Sequence, residues 1–344
     1  MPRERVFWVV LASLILAGLA ASFFGDRPRT VQLTLSPEAP PLVAQTATAR
    51  SWREVRFERI ADIPAGERLP LRNPTLLRLD GRGNLYVLDS GESQVERYSL
   101  DGRLASVYGP ADLGNPSDVA VGEDGSVRVL DPDRRRITVF SPQGTIARRI
   151  ALDRTAFRIA LDGQNGLIAA LHRSGKPLFQ RFSEGGKPGA AFGAFFPEEV
   201  QSSLTADGWI VQAGPDAFVY PFRHAGLLAS YTFDGRARFF RRTIDPLRLP
   251  PVHFDTAGGQ TIDPAAPQAS FSASVVGPDL FVLSAGNGKD RVVDVYDAET
   301  GSYRWSLRPP EPDARYVVLT ADRLFSASRR GVTIWRRAEA APAR

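Results

Sequence analysis

From Ser51 onward the chain alternates apolar and polar positions with a period of two, and helix-period patterns are scarce. That alternation predicts β-strands, and Gly-bearing turn signals between the runs separate one strand from the next. The pattern also repeats. The segment "PTLLRLDGRGNLYVLDSGESQVERYSLDGRL" from Pro74 lies over "PSDVAVGEDGSVRVLDPDRRRITVFSPQGTI" from Pro116 at an offset of 42 residues without a gap. The offset superposes Pro74 on Pro116, Gly83 on Gly125, Asp89 on Asp131, Tyr98 on Phe140 and Gly102 on Gly144. Each unit reads as four strands. "TLLRLD" turns into "LYVLD", then come "QVERYSL" and, after an Asp-Gly turn, "LASVY".

Weaker copies begin at Phe157, Ser202, Ser272 and Arg315. The copy from Ser202 reads "SSLTADGWIVQAG" and then "GLLASYTFDGRARFF", with residues 214–226 between them as an insertion. The copy from Arg315 has three strands only, and the strand "WREVRFERI", Trp52 to Ile60, precedes the first unit without a unit of its own. Pairing that early strand into the last unit removes an open sheet edge and closes the ring. The expectation is an all-β, six-bladed β-propeller over residues 51–344, closed by an N-terminal strand.

The first 50 residues read differently. Val6 to Phe24 is a run of 19 residues without a charge. As a helix it spans roughly 28 Å, near the hydrocarbon thickness of a bilayer. Residues 1–25 are therefore read as a membrane anchor or a signal sequence, and Gly18-Leu19-Ala20 offers a small-x-small cleavage signal for the second reading. A retained anchor implies one transmembrane helix ahead of the propeller. Residues 26–50, rich in Pro, Ala and Thr, read as a flexible linker. Together with the Arg- and Ala-rich composition, this predicts a bacterial inner-membrane protein, single-pass through residues 6–24, with the propeller in the periplasm or another extracytoplasmic space.

Composition narrows the chemistry. The chain lacks Cys, which excludes disulfides, thiolate catalysis and zinc–cysteine sites. The net charge of +5 is carried almost wholly by Arg, with Lys only at 176, 187 and 289. No phosphate-cradling loop and no Gly-x-Ser-x-Gly occurs, and nothing in the residues demands an enzyme.

Strand order assigns the short Asp-Gly turns to one face of the ring. The second-to-third loops and the links between blades share the opposite face, which carries the longer, variable segments. On that loop face the topology places Arg134, Arg135, Arg173, Lys176, Arg223, Lys289, Arg291, Arg329 and Arg330. A basic rim of this kind suits a protein partner or an anionic envelope ligand, and in an exported protein no nucleic acid is expected there. Arg136 starts a strand and has Asp131 or Asp133 in its own loop as partners. Phe195, Phe196, Tyr220 and Phe222 on the same loops read either as apolar anchors or as core.

The unit "NPSDVAVGEDGSVRVLDPDRRRITVFSPQG" resembles an NHL repeat, whose pattern is Pro-x-x-hydrophobic, Asp-Gly, a strand, Asp, then Arg-Ile-x-hydrophobic-Phe and a closing Gly. Blade one departs from it with Gln94-Val95 in place of Arg-Ile, and the later blades match only at the turns. The resemblance implies a β-propeller but no single function, since members bind proteins, RNA or sugars and related propellers are enzymes. Among NHL-like propellers the peptidyl-amidoglycolate lyases use a three-His site, and here His172, His224 and His253 all fall on the loop face by topology. Propeller lactonases hold calcium at the channel, for which Asn115 and Asp118 are candidates. Two readings therefore stand at this point. The first is a non-enzymatic, membrane-tethered protein- or ligand-binding scaffold at the cell envelope, without a cofactor. The alternative is a metal-dependent enzyme of lyase or lactonase type, with zinc or calcium at the central channel. Asp89 and Asp131 close their strands identically, which points to repeated turn hydrogen bonds.

Overall fold

The computed structural model describes residues 28–338 apart from residues 67, 69, 164, 173–176, 246, 257–258 and 287–289. The chain divides into two compact units, Met1–Leu33 with Pro250–Ala266, and Thr34–Leu249 with Pro267–Arg344.

The larger unit contains six four-stranded antiparallel sheets. Blade one runs from the strand Pro74–Leu79 to Leu104–Tyr108, blade two from Asp118–Val121 to Ile146–Ala151, and blade three from Ala156–Leu161 to Pro188–Phe192. Blade four runs from Val211–Gln212 to Ala237–Arg242, and blade five from Ser272–Val276 to Tyr303–Leu307. Blade six holds Tyr316–Leu319, Arg323–Ser328 and Gly331–Arg337, completed by Phe57–Pro64 as its outermost strand. The first strand of each blade contacts that of the next, and the first strand of blade six contacts that of blade one, so the sheets close into a propeller ring.

The pattern along each blade follows from this packing. A second strand is covered on both faces by neighbouring blades, so Leu85–Asp89 and Val127–Asp131 are buried at every position and read as continuous apolar runs. The outermost strands have a free side, and Pro188–Phe192 is mostly exposed. Gly83 and Gly125, superposed by the repeat, both take a left-handed φ, of 83° and 82°, at their turns. Only Gly enters that region without strain.

One sequence expectation changes here, and one open alternative is decided. Residues 214–226 are not an insertion, because Ala217–Pro221 is the fully buried second strand of blade four, paired with both Val211–Gln212 and Leu227–Thr232. Its flanks, "GPD" and "RHAG", carry turn residues on both sides, which made a strand look like part of a loop. Phe195, Phe196, Tyr220 and Phe222 belong to the core, at 0 to 2% exposure. Phe195 meets the Phe222 ring edge-on at 4.9 Å, and Phe179 meets Tyr220 in the same way at 4.9 Å.

The segment read as a linker makes specific bonds along the rim of the same unit. Val43 pairs in parallel with Arg241 on the outer strand of blade four, and Gln45 Nε2 donates to the carbonyls of Arg242 and Gly301 at 2.8 Å each. Ser51 and Arg53 exchange backbone bonds of 2.8 Å with Ser306 on the outer strand of blade five. The closing strand accordingly begins at Phe57 rather than Trp52. Composition alone does not show this, because each contact is a backbone pairing or a single polar side chain with no periodic signal.

The smaller unit holds a three-stranded sheet in which Pro251–Phe254 pairs antiparallel with both Arg29–Gln32 and Gln260–Ile262. Among the described residues no helix is long and apolar enough to cross a membrane. The apolar run of residues 6–24 lies outside the described residues.

Candidate ligand cavity at the channel mouth

On the loop face, the ring of inner strands opens into a cavity of about 540 Å³. Thr75, Ser117, Arg158 and Tyr316 reach it from the start of their strands. Each is the second residue of its repeat unit, so the fold brings one column of the repeat to one rim. Trp209, Arg223, Gln268, Phe271, Arg291 and Arg315 complete the wall.

Charge is unevenly matched in this wall. Arg158 is 9% exposed and sits over the Trp209 ring at 4.5 Å, while Trp209 in turn meets Tyr316 edge-on at 5.2 Å. Its guanidinium donates to the carbonyls of Gly208 and Phe157 and pairs with Asp207 at 3.0 Å. Burial is the largest influence and lowers the Arg158 pKa, but Asp207, Tyr316, Asp118 and Tyr220 together outweigh it and the net shift is upward. Arg223 reaches the second oxygen of the same carboxylate at 3.1 Å. Arg291 lies over the Phe271 ring at 3.1 Å from its centre, and burial lowers its pKa. Neither Arg291 nor Arg315 pairs with a carboxylate among the described residues. Four guanidinium groups therefore line the cavity, and no carboxylate is among its lining residues.

Among the described residues, Trp209 Nε1, Ser117 Oγ and Arg223 Nε are buried without a hydrogen-bond partner, which costs about 1–3 kcal/mol each.

Below the mouth lies a structural ion pair. Asp118, fully buried, accepts from Arg78 Nη2 of blade one at 2.9 Å and from the Ile159 backbone N–H of blade three at 3.0 Å. Its oxygens are thereby engaged as a clamp between blades. Asn115 contributes its backbone N–H to Asp131 at 3.4 Å.

The nine basic residues expected on the loop face separate into groups. Arg223 and Arg291 line the cavity, while Arg158 and Arg315 were not among the nine. Arg329 lines a neighbouring cavity of about 670 Å³ together with Arg291 and Arg315. Arg134 donates to the Asp112 carbonyl and lies 3.5 Å from Asp131. Arg136 donates to the same Asp112 carbonyl at 2.6 Å, where Asp131 or Asp133 was expected as its partner. These two arginines of the triple-Arg run tie down the link between blades one and two. Arg135 is exposed, with φ 45°. Arg330 pairs with Glu311 at 3.4 Å and Asp313 at 3.5 Å. Arg173, Lys176 and Lys289 lie outside the described residues. Asp89 accepts from the backbone N–H groups of Arg72 and Asn73, and Asp131 from those of Gly114 and Asn115, which is the repeated turn bonding expected.

The histidines have three different settings. His172 Nδ1 bonds Ser203 Oγ, and His253 Nδ1 bonds Thr30 Oγ1 at 2.9 Å within the small sheet. His224 sits beside Arg223 with its Nδ1 buried and unpartnered. Among the described residues, no group of three or more His, Cys, Asp or Glu side chains is placed to hold a metal ion.

Burial, followed by the Arg223 charge, lowers the His224 pKa, and Asp207 only partly offsets them. The folded protein thus keeps His224 neutral at pH values where the unfolded chain protonates it. That contribution to stability is present above the ordinary histidine range, near 6.5. It is lost as pH falls through the depressed folded value. Denaturation midpoints measured from about pH 7.5 to 5 should show this acid-side loss, and a His224→Asn variant should lose less over the same interval.

No family model matches the chain, and no curated protein matches it. Solved structures match the fold. A Bacteroides fragilis protein named as exported aligns with a TM-score of 0.56 at 10% identity, over 86% of this chain and 98% of that one. Hydrazine synthase of Kuenenia stuttgartiensis aligns with a TM-score of 0.52 at 12% identity, over 79% and 98%. Virginiamycin B lyase of Staphylococcus aureus aligns at 0.51 and 12%, over 83% and 99%. At these identities the likeness is one of fold. The chain is a β-propeller protein.

Proposed function

We propose that this protein is a non-enzymatic binding module that holds an anionic ligand, or an anionic group of a partner protein, in the arginine-walled mouth of its channel. One observation carries the reading: four arginines and no carboxylate line the cavity, and two of them, Arg291 and Arg315, have no ion-pair partner among the described residues. A desolvated guanidinium gains most from an oxyanion that meets it with two parallel hydrogen bonds. The apolar leader and the uncharged run of residues 6–24 support an extracytoplasmic, membrane-tethered placement. An NHL-like repeat is consistent with a binding role, as is a fold shared with a protein named as exported.

Calorimetric titration of the full chain with citrate and with inorganic phosphate tests this. Arg291→Ala and Arg315→Ala should each weaken binding about tenfold, the loss of one charge-assisted contact. Raising salt from about 0.05 to 0.5 M should weaken it further, because screening acts on the ligand's approach and its exposed contacts. Arg135→Ala, on the same face but outside the cavity, should bind as the unaltered protein does. Equal affinity for all three variants sinks the reading.

A further inference from the structure

The loop face carries two cavities that share a wall, and their linings differ in chemistry. Resting on the anion-binding reading above, we infer that the ligand is an anionic saccharide. Its charged group sits in the channel mouth, and a hydroxylated ring occupies the neighbouring cavity across Arg291 and Arg315.

The channel mouth offers donors. Four guanidinium groups line it, and Asp207, which is not in the lining, is already taken by Arg158 and Arg223. Such a lining suits a fully ionised phosphate or carboxylate, which has acceptor oxygens and no proton to give.

The second cavity mixes donors and acceptors. Arg291, Arg315 and Arg329 stand with Asp290 and Asp313. Asp290 is 3.9 Å from Arg308 and Asp313 is 3.5 Å from Arg330, and both carboxylates are exposed. Exposed pairs at these distances are weak and leave carboxylate lone pairs free. A sugar hydroxyl both donates and accepts, so it can bond a carboxylate and a guanidinium at once. A second phosphate cannot, and would meet repulsion from Asp290 and Asp313. The carboxylates therefore select a hydroxylated body over a longer polyanion. Each cavity, at about 540 and 670 Å³, has the size of a small-molecule site.

The test is calorimetric titration of the full chain with glucose 6-phosphate, glucuronate, inorganic phosphate and glucose. The expected result is that at least one of the two anionic sugars binds about tenfold or more tighter than phosphate or glucose. Preference for glucose 6-phosphate assigns the charge to a phosphate, and preference for glucuronate assigns it to a carboxylate. An Asp290→Asn, Asp313→Asn double variant, shown folded by circular dichroism, should lose about tenfold in anionic-sugar affinity and keep its affinity for phosphate. If phosphate binds as tightly as both sugars, or the double variant leaves the sugar preference unchanged, the saccharide inference falls and the anion site stands. If none of the anions binds, both readings fall together.

Discussion

Asp118→Ala is expected to lower the stability of the propeller by about 3–5 kcal/mol, the range for breaking a buried ion pair from one side. Asp118 belongs to blade two and is fully buried, yet its two oxygens serve blades one and three, through Arg78 Nη2 at 2.9 Å and the Ile159 N–H at 3.0 Å. Truncation strands a guanidinium that is only 16% exposed and takes the carboxylate acceptor from the Ile159 N–H. The cost therefore comes from two orphaned donors more than from lost attraction. Guanidinium denaturation should show a lower midpoint at an unchanged slope. The double variant Arg78→Met, Asp118→Leu should recover part of the loss, since it removes both charges while keeping volume. A fall below about 1 kcal/mol for Asp118→Ala would mean that the blades do not depend on this clamp.

The second large effect is expected at Arg50. Its Nε and Nη2 hold Asp294 with two parallel bonds of 2.8 and 2.9 Å, and Nη2 also meets Asp245. Asp294 is buried on blade five and further accepts from Ser284 and Ser306. Burial alone would lower the Arg50 pKa, but its two carboxylates outweigh burial and raise it. Arg50→Ala leaves Asp294 without its counter-charge and should cost about 3–5 kcal/mol. Arg50→Lys keeps the charge but loses the fork and should cost less. Because Arg50 closes the rim segment between the Gln45 and Ser51 contacts, the alanine variant should also become open to proteolysis between residues 34 and 56. If that segment stays protected, the backbone bonds at Val43 and Ser51 hold it without the ion pair.

Both residues show why clamps are hard to read from sequence. Arg50 is one of three arginines in a Pro- and Ala-rich stretch, and its partners lie 195 and 244 positions away. Asp118 occupies the third position of its repeat unit, where blade one has Leu76, so the repeat itself carries no signal for it. A pairing that depends on two distant positions leaves no local periodicity.

The architecture was legible because a propeller is repetitive and local. Period-two alternation, turn glycines at matched places in the repeat and a final unit short by one strand were enough to predict the ring and its closing strand. Antiparallel neighbours joined by short turns write their pairing into a stretch of about 40 residues, where alternation and turn chemistry act together. The site was legible in part. Topology put Arg223 and Arg291 on the loop face, where they line the cavity, and Arg158 and Tyr316 stand in the same repeat column as Thr75 and Ser117, which a reading down the aligned units exposes. What tertiary structure alone decided is which arginines are spent and which are free. Arg134, Arg136 and Arg330 are tied to carbonyls and carboxylates brought in by other segments, while Arg291 and Arg315 line the cavity with no ion-pair partner among the described residues. Charge and strand order are local properties of a sequence, but the balance of charge around a cavity is a sum over chain segments that only folding brings within a few ångströms of one another.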